Sequence, residues 1–467
     1  MQRGNRLVGG LGWMALVAAC PALPLPTTTR ALDAAPLGGA TPRGDAGRPD
    51  AADAAVTGSS SGGGADGGAD AGWDATVPPP AWTACLTPPD GGLRDGSPDE
   101  SGNAPACTML EVVSVAGGSR GYGDGLMRNA RFYRPRGMAA TPDGKLYVAD
   151  ENNHAIRVVD PAANNVGTVL GAPTRPGHVD GPVAEARLRN PRALLVVGYS
   201  LLIADEGNAV IRRVDLDVGD GGVVSTLAGN PGMRGGQDGV GEAATFNGIS
   251  DLALARNGRT LYVADQFNQA IRVVDVATRE VTTLAGALGE NGNADGPAAE
   301  ARFNMPTGLA LSPDGTRLYV ADQYNHAVRE ILLSTGTVRT LAGRAGLAGE
   351  VDGPGPQARF QYPTDVAADE RSVYVADQTN LKLRRVDLPS GEVLTVAGAS
   401  NALQLRLGTT DVARLYQPLN LLLSPDGRAL HFTMDRVHGI YALQGLPVDA
   451  GPPDGGAPRD GSTGDGG

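Results

Sequence analysis

Five copies of one polar triad are the residues whose type and spacing could do chemistry in this chain. Each triad has an Asp, an Asn three residues later and an Arg four residues after the Asn. Its members are Asp150, Asn153 and Arg157; Asp205, Asn208 and Arg212; Asp265, Asn268 and Arg272; Asp322, Asn325 and Arg329; and Asp377, Asn380 and Arg384. An active site occurs once in a protein, so this repetition argues against catalysis. We expect the Asp and Asn side chains to hydrogen-bond turn backbone and the Arg to brace adjacent strands or blades.

Two further groups of residues invite a metal hypothesis. Loops containing Asp-Gly carry carboxylates at Asp124, Asp180, Asp238, Asp295 and Asp352. Each loop offers one or two carboxylates, whereas Ca²⁺ takes about six to eight oxygens, so these Asp residues are interpreted as caps of short helical turns. His154 and His326 occupy equivalent loops and are expected to be exposed. The sequence predicts no cofactor and no metal, and it contains no serine elbow, phosphate-binding glycine loop or cysteine nucleophile.

The triads belong to a repeat of about 57 residues that occurs six times between residues 111 and 445. Its clearest line, YVADENNHAIRVVD, returns four more times, and a worn sixth copy, HFTMDRVHGIYAL, places the Asp at Asp435. Each copy holds four short runs rich in Val, Ile, Leu, Tyr and Thr, as in SDLALA, TLYVAD, AIRVVD and VTTLAG. Tight Asp-Gly or Asn-Gly turns join the first two runs. The pattern predicts an all-β, six-bladed β-propeller.

The ends of the array predict how the ring closes. EVVSVAGG, at residues 111–118, matches a fourth strand but precedes the first full unit, whereas the last unit has only three strands. The N-terminal strand should therefore complete the last blade and leave no free sheet edge. An apolar residue ends each loop between blades and is expected to fill the gap between them. These residues are Phe132, Leu188, Phe246, Phe303, Phe360 and Leu415.

The segments outside the array indicate export. Residues 1–20 have a charged head, a short apolar stretch and the lipobox-like VAAC, so Cys20 is predicted to carry lipid; the alternative is ordinary cleavage and a secreted protein. Residues 21–81 and 446–467 are rich in Gly, Ala, Asp and Pro and are predicted to be disordered. In the lead-in, residues 82–110, Cys85 and Cys107 are expected to form a disulfide. The net charge of −12 argues against nucleic-acid binding.

The triad line resembles the NHL repeat, named for Asn, His and Leu. Asn153-His154 and Asn325-His326, each before a strand containing Arg, carry the resemblance, although Ala209, Gln269 and Leu381 replace the His in other units. The GxxDGxxxxARFxxP loop resembles longer variants in bacterial surface proteins and teneurins. The resemblance implies a six-bladed propeller that serves mostly as a binding scaffold.

The sequence is compatible with two functions of the propeller. One is a non-catalytic, monomeric cell-envelope lipoprotein that binds a protein or a cell-envelope glycan. The other is a metal-dependent hydrolase or lyase similar to gluconolactonase or the amidating lyase, which hold their metals in the pore. The predicted starts of the inner strands offer Asp251, Asp365 and Asn420, but no Glu and no His, which favours the scaffold.

A scaffold of this kind should bind on the rim that carries the longer loops. Positions beside the repeated Asn residues differ between units and are the candidate contacts. They are Asn152, His154, Phe267, Gln269, Tyr324 and His326, of which Phe267 and Tyr324 are expected to touch a partner directly.

Overall fold

The computed structural model describes residues 110–216, 221–400 and 404–446. Cys20, Cys85 and Cys107 lie outside these residues, as do the predicted signal segment, tether and acidic tail. No helix in the described part of the chain is both long and apolar enough to cross a membrane.

The described residues form six antiparallel sheets, each built mainly from the β-branched and aromatic runs of one repeat. The first strand, β1, spans Glu111–Gly117. Blade 1 contains β2 Gly125–Leu126, β3 Pro135–Ala140, β4 Leu146–Asp150, β5 Ala155–Asp160 and β6 Asn165–Gly171. Blade 2 contains β7 Gly181–Pro182, β8 Pro191–Val197, β9 Ser200–Asp205, β10 Val210–Asp215 and β11 Val223–Ala228. Blade 3 contains β12 Gly239–Val240, β13 Ile249–Leu254, β14 Thr260–Asp265, β15 Ala270–Asp275 and β16 Glu280–Gly286.

The remaining three blades follow the same plan. Blade 4 contains β17 Gly296–Pro297, β18 Pro306–Leu311, β19 Arg317–Asp322, β20 Ala327–Leu332 and β21 Thr337–Gly343. Blade 5 contains β22 Gly353–Pro354, β23 Pro363–Ala368, β24 Ser372–Asp377, β25 Lys382–Asp387 and β26 Glu392–Gly398. Blade 6 contains β27 Gly408–Thr409, β28 Pro418–Leu423, β29 Ala429–Met434 and β30 Gly439–Gln444. Single-turn 3-10 helices cover Glu151–Asn153, Glu206–Asn208, Gly241–Ala243, Gln266–Asn268 and Gln323–Asn325.

The predicted six-bladed propeller and its closure are confirmed. Strand β1 pairs with β30 in blade 6, with Glu111 opposite Gln444 and Val112 opposite Leu443. The prediction of four strands per unit is incomplete, because a fifth, two-residue strand pairs with each outer strand. That strand is the Gly-Pro or equivalent step of the Asp-Gly loop, which reaches the outer edge of the blade before turning back to the inner strand.

The core lies between the blades. Six clusters of buried side chains each combine residues of two neighbouring blades. The six predicted gap-filling residues, from Phe132 to Leu415, are all fully buried in these clusters, which confirms their role. Burying one such side chain contributes roughly 1.5–3 kcal/mol.

Blade 6 departs from the predicted alignment by one residue. Pro418 pairs with Met434, as Pro363 pairs with Asp377 in blade 5. Met434, and not Asp435, therefore occupies the triad Asp position, and the predicted placement of a sixth Asp at Asp435 is wrong. Seven residues later, Tyr441 stands where Arg384 stands in blade 5.

Candidate functional site

The triad turns and the Asp-Gly loops lie on the same rim of the propeller. Each triad Asn donates a side-chain hydrogen bond to a loop carbonyl, as in Asn153 Nδ2 to Gly121 O at 2.8 Å and Asn268 Nδ2 to Gly235 O at 2.7 Å. This contact confirms that both elaborated segments gather on one face, which is called the loop rim below.

The triads are buried and hydrogen-bonded to the turn backbone. In blade 5, Asp377 Oδ1 accepts from Gln361 N at 2.7 Å, and Oδ2 accepts from Asn380 Nδ2 and Arg384 Nη1, both at 2.8 Å. Arg384 Nη1 also donates to Arg359 O at 3.1 Å. Burial raises the pKa of Asp377 to about 6 against the opposing effect of the Arg384 charge. The carboxylate is therefore still ionised at neutral pH and paired with its guanidinium.

The Asp-Gly loop carboxylates belong to the same network, so the interpretation as helix caps is wrong. Asp352 forms an ion pair with Arg384 Nη2 and accepts a hydrogen bond from Thr395 N at 3.0 Å. The loop returns to the outer strand beside the guanidinium, so the carboxylate neutralises a buried charge there rather than capping a turn. The guanidinium also lies over the gap-filling Phe360 ring, 5.1 Å from its centroid.

Histidine has a structural role on this rim. His326 is buried, and its Nδ1 accepts a hydrogen bond from Tyr362 N of the next blade at 3.2 Å. His154 is half-buried and accepts from Asn190 N at 3.1 Å. In blade 3, Gln269 Oε1 likewise accepts a hydrogen bond from Met305 N of the next blade at 2.6 Å. The expectation that these histidines are exposed is wrong, because they sit at left-handed turn positions whose side chains face the next blade.

An exposed apolar patch covers one sector of the loop rim. Phe267 and Tyr324 are 43% and 45% exposed, as their candidate role requires. Three more exposed apolar residues lie in the adjoining turns, Met233, Leu288 and Leu347. These five residues are called the apolar sector. The Phe267 ring packs on Gly248, where a Cβ atom would lie 2.3 Å from the ring. The Tyr324 ring makes an edge-to-face contact with Tyr362, with 5.1 Å between the ring centroids.

The rim is asymmetric because the repeats differ at the Phe267 position. Asn152, Gly207 and Thr379 occupy it in blades 1, 2 and 5. Asn152 is half-buried, and its Oδ1 accepts from Asn190 Nδ2 at 3.4 Å. The large aromatic side chains at this position are therefore confined to blades 3 and 4.

A second asymmetric feature lies at the centre of the ring, where the inner strands meet. Asp251 Oδ2 accepts from Leu309 N at 2.7 Å, and Asp365 Oδ2 accepts from Leu421 N at 2.7 Å. Asn420 donates to Asp365 Oδ2 at 2.7 Å. Asp251 and Asp365 thus each link their inner strand to that of the next blade, and Asn420 Oδ1 does the same by accepting from Met138 N of blade 1 at 3.2 Å. Gly308 leaves room for this arrangement, because a Cβ atom there would lie 2.2 Å from an Asp365 carboxylate oxygen.

The two central carboxylates resist ionisation. Burial raises the pKa of Asp251 to about 7. Burial and the Asp251 charge together raise the pKa of Asp365 well above its usual value. Near neutral pH the pair therefore retains at least part of its protons. Residues 110–446, where the structure describes them, contain no group of three or more His, Cys, Asp or Glu side chains arranged to hold a metal ion.

Above these carboxylates, a polar cavity of about 230 Å³ opens toward the loop rim. One wall carries Arg134, Arg136 and Arg192, and Glu151 lies among them, with N–O distances of 3.4, 3.1 and 4.0 Å. The other wall is formed by uncharged side chains, Ser250, Thr307, Gln323, Thr364 and Gln378. The sequence prediction included the carboxylates but missed the arginine wall, in which Arg134 and Arg136 flank Pro135 of blade 1 and Arg192 follows Pro191 of blade 2.

Comparison with known proteins agrees with this architecture. Residues 132–159 and 303–331 match the family profile described as NHL repeat. The chain is 31% identical over 296 residues to Protein SUPPRESSOR OF QUENCHING 1, chloroplastic, of Arabidopsis thaliana, covering 60% of this chain and 28% of that protein. It is 27% identical over 333 residues to NHL repeat-containing protein 2 of Bos taurus, covering 64% and 44%. It is also 28% identical over 322 residues to Teneurin-3 of Danio rerio, covering 62% and 11%.

The chain thus spans less than half the length of the curated relatives it matches. A solved structure described as an auxiliary nutrient binding protein from Bacteroides thetaiotaomicron superposes with a TM-score of 0.54 at 16% identity, covering 72% of this chain and 76% of that one. This likeness shows the fold alone. Two of the six units thus match the NHL repeat profile, and the six sheets share one strand plan.

Proposed function

We propose that this propeller is a non-catalytic scaffold that captures a protein or a cell-envelope glycan on its loop rim. The observation that carries the proposal is the apolar sector. Five large apolar side chains, each 43–55% exposed, lie in the turns of blades 3 and 4 and in the loops next to them. Contiguous exposed apolar surface with aromatic residues and Met is typical of binding sites.

The surroundings of the apolar sector support the same proposal. Phe267 and Tyr324 stand on 3-10 turns held by the buried triads, so little conformational entropy is lost when a partner orders them. Arg234 lies in the same turn as Met233 and forms an ion pair with Glu206 at 2.9 Å. Aromatic anchors beside polar and charged groups suit a protein surface or the faces of sugar rings.

The competing proposal, a metal-dependent hydrolase or lyase, would use the pore. There, the carboxylate oxygens of Asp251 and Asp365 accept backbone hydrogen bonds from the next blade, and Asn420 supports Asp365. These contacts support a structural role and favour the scaffold. Metal analysis of the purified protein separates the two proposals, since stoichiometric metal in the pore would favour the enzyme.

Substituting both Phe267 and Tyr324 with Ala tests the scaffold. We expect capture of partners from a cell-envelope extract, and binding to a glycan array, to fall at least about tenfold, because the aromatic anchors are lost. Thermal stability should change little, because both side chains are exposed. The matched control replaces Thr379, at the equivalent turn position of blade 5, with Ala and should leave capture unchanged. Lower stability with unchanged capture would place these aromatics in the packing between blades and refute the proposal.

The site of action is proposed from the sequence outside the described residues. We place the protein in the cell envelope, as a monomer held to a membrane only by lipid on Cys20. Replacing Cys20 with Ser should move it to the soluble fraction, and a Ser variant that stays with the membrane would contradict the anchor.

Cys85 and Cys107 should appear joined in a non-reduced digest, whereas two free thiols would refute the disulfide.

A further inference from the structure

At the mouth of the central channel, two guanidinium groups and two carboxyl groups line one cavity without pairing with each other. Arg136 and Arg192 form part of its wall, and Asp251 and Asp365 lie at its floor. Arg192 and Asp251 attract each other electrostatically, yet their charged atoms do not approach within the 4.0 Å of an ion pair. Two charges that share a cavity but leave a gap between them are complementary to a ligand that carries both charges.

The arginine wall keeps donors free for an anion. Glu151 accepts a hydrogen bond from Arg136 Nε at 3.1 Å, and Gln266 Oε1 accepts one from Arg192 Nη1 at 3.1 Å. Neither Nη group of Arg136, nor Nη2 of Arg192, has a hydrogen-bond partner among the described residues. A planar carboxylate is the group that two such guanidinium forks recognise best.

The floor keeps acceptors free for a cation. An ionised carboxylate has about four lone-pair positions. Asp251 Oδ2 accepts from Leu309 N, whereas Asp365 accepts from Leu421 N and Asn420 Nδ2 at Oδ2 and from Val366 N at Oδ1, so each side chain still has an acceptor position for a ligand. Asp365 is 3% exposed and has no cationic partner in the described chain. Burial, and for Asp365 also the Asp251 charge, raises the pKa values of this pair. An ammonium group placed between the two carboxylates would supply a cationic partner.

The cavity also breaks the symmetry of the repeat, as a ligand site must. The residue after each inner-strand proline is Arg in blades 1 and 2 and Thr in blades 4 and 5, so only one side of the cavity is cationic. The carboxylates stand in blades 3 and 5, whereas blades 1 and 4 have Gly137 and Gly308 at the same level. This arrangement occurs once, unlike the triads.

We propose that the mouth of the channel binds a free α-amino acid. The ligand carboxylate lies against Arg136 and Arg192, and its ammonium group lies against Asp251 and Asp365. The hydroxyl and amide groups of Thr307, Thr364 and Gln323 contact the ligand from the opposite wall. A volume of about 230 Å³ holds a small or medium-sized amino acid, and the opening lets its side chain extend toward the loop rim. This site is separate from the apolar sector and does not depend on it.

Isothermal titration of the purified full-length protein with each of the twenty L-amino acids tests the proposal. At least one should bind with a Kd below about 1 mM, the range of modest small-ligand affinities. Acetate and methylammonium each carry one of the two charges and should bind at least about tenfold more weakly than that amino acid. Binding of acetate alone at equal affinity would show an anion site, and equal binding of methylammonium a cation site. Either result, or binding of none of the twenty, would overturn the proposal.

Two variants locate the site. Asp251→Asn keeps an acceptor for Leu309 N but removes the charge, and Arg136→Gln removes one guanidinium. Each should raise the Kd at least about tenfold, whereas Thr379→Ala, on the rim, should leave it unchanged. Thermal melting verifies that each variant is folded. Unchanged affinity in both folded variants would contradict the assignment. Capture through the apolar sector should survive Asp251→Asn, so this proposal and the rim proposal can fail separately.

Discussion

Blades 5 and 6 fill the same interior position in two chemically different ways. In blade 5, the buried Arg384 is held between Asp377 and Asp352. In blade 6, the corresponding residues are Tyr441, Met434 and Leu407, and a Val replaces the triad Asn. Both blades nevertheless have five strands in the same order. The charged network is therefore one solution to packing this position, and the blade fold does not require it.

The energetics explain why both solutions are stable. Burying a guanidinium is costly, and the Nε atom of Arg384 has no hydrogen-bond partner among the described residues. Two carboxylates and backbone carbonyls offset that cost in blade 5. Blade 6 avoids it with apolar side chains. Met434 Sδ still accepts from Tyr416 N at 3.2 Å, which replaces the Asp acceptor at the same turn. Burial raises the pKa of Tyr441 to about 12, so its ring stays neutral.

The blades also differ in continuity, which gives the largest expected effect. Blade 5 is continuous in sequence, whereas blade 6 takes its fourth strand from Glu111–Gly117. Deleting residues 111–118 should expose the edge of β30 and remove the buried Val112 and Ala116. We expect aggregation or a Tm lower by at least about 10 °C in calorimetry. Deleting residues 448–467 is the control, and a strand deletion that melts like the parent would disprove the closure.

Removing one member of the charged network should have the next largest effect. Arg384→Ala leaves two carboxylates without their cation and should lower the free energy of unfolding by about 3–5 kcal/mol in urea titrations. The matched change in blade 6, Tyr441→Phe, removes only a hydroxyl and should cost less than about 1 kcal/mol. Equal decreases in the free energy of unfolding for the two variants would show that breaking the charged network costs no more than removing one hydroxyl.

The central carboxylates predict a smaller, pH-dependent effect. Because the folded pKa of Asp251 is about 7 and the unfolded value is near 3.8, the folded protein holds the extra proton between these values. Stability should therefore fall as pH rises from about 4 to 7. Asp251→Asn mimics the protonated form, so its free energy of unfolding should not fall in this way. The difference between variant and wild type, measured by urea unfolding, should shift in favour of the variant by roughly 1–3 kcal/mol between pH 5 and pH 8. A constant difference across this range would contradict the raised pKa.

The smallest effect is expected at the histidine braces. Blade 5 has Leu381 where blade 4 has His326, and both adopt a positive φ, of 59° and 55°. His326→Leu should therefore fit the backbone and lose only the hydrogen bond from Tyr362 N, at a cost of about 1 kcal/mol. Thermal melting measures this difference. A loss above about 3 kcal/mol would show that the His ring has a further role.

The sequence predicted what repeats and missed what depends on contacts between loops. The period, the strand runs and the displaced N-terminal strand were sufficient for the blade number and the closure. The role of Asp352 was missed because the loop and Arg384 are far apart in sequence and meet only after the loop returns to the outer strand. Asp435 was assigned to the triad position because it is an Asp, without regard to strand register. Aligning HFTM of blade 6 with YVAD of blade 5 places Met434 at that position. The arginine wall was missed because its residues are single exceptions within the repeat.

The repeated Asp, Asn and Arg residues brace the turns and loops of five blades, and we propose that ligands bind where the repeats differ. The most direct test transfers the blade 6 residues into blade 5, as Asp352→Leu, Asp377→Met, Asn380→Val and Arg384→Tyr together. We expect a folded protein whose free energy of unfolding in urea lies within about 2 kcal/mol of the wild-type value, clearly more stable than Arg384→Ala, with unchanged partner capture. A fourfold variant that is as unstable as Arg384→Ala would contradict the bracing role, and one that loses capture while folded would show that the triad residues take part in binding.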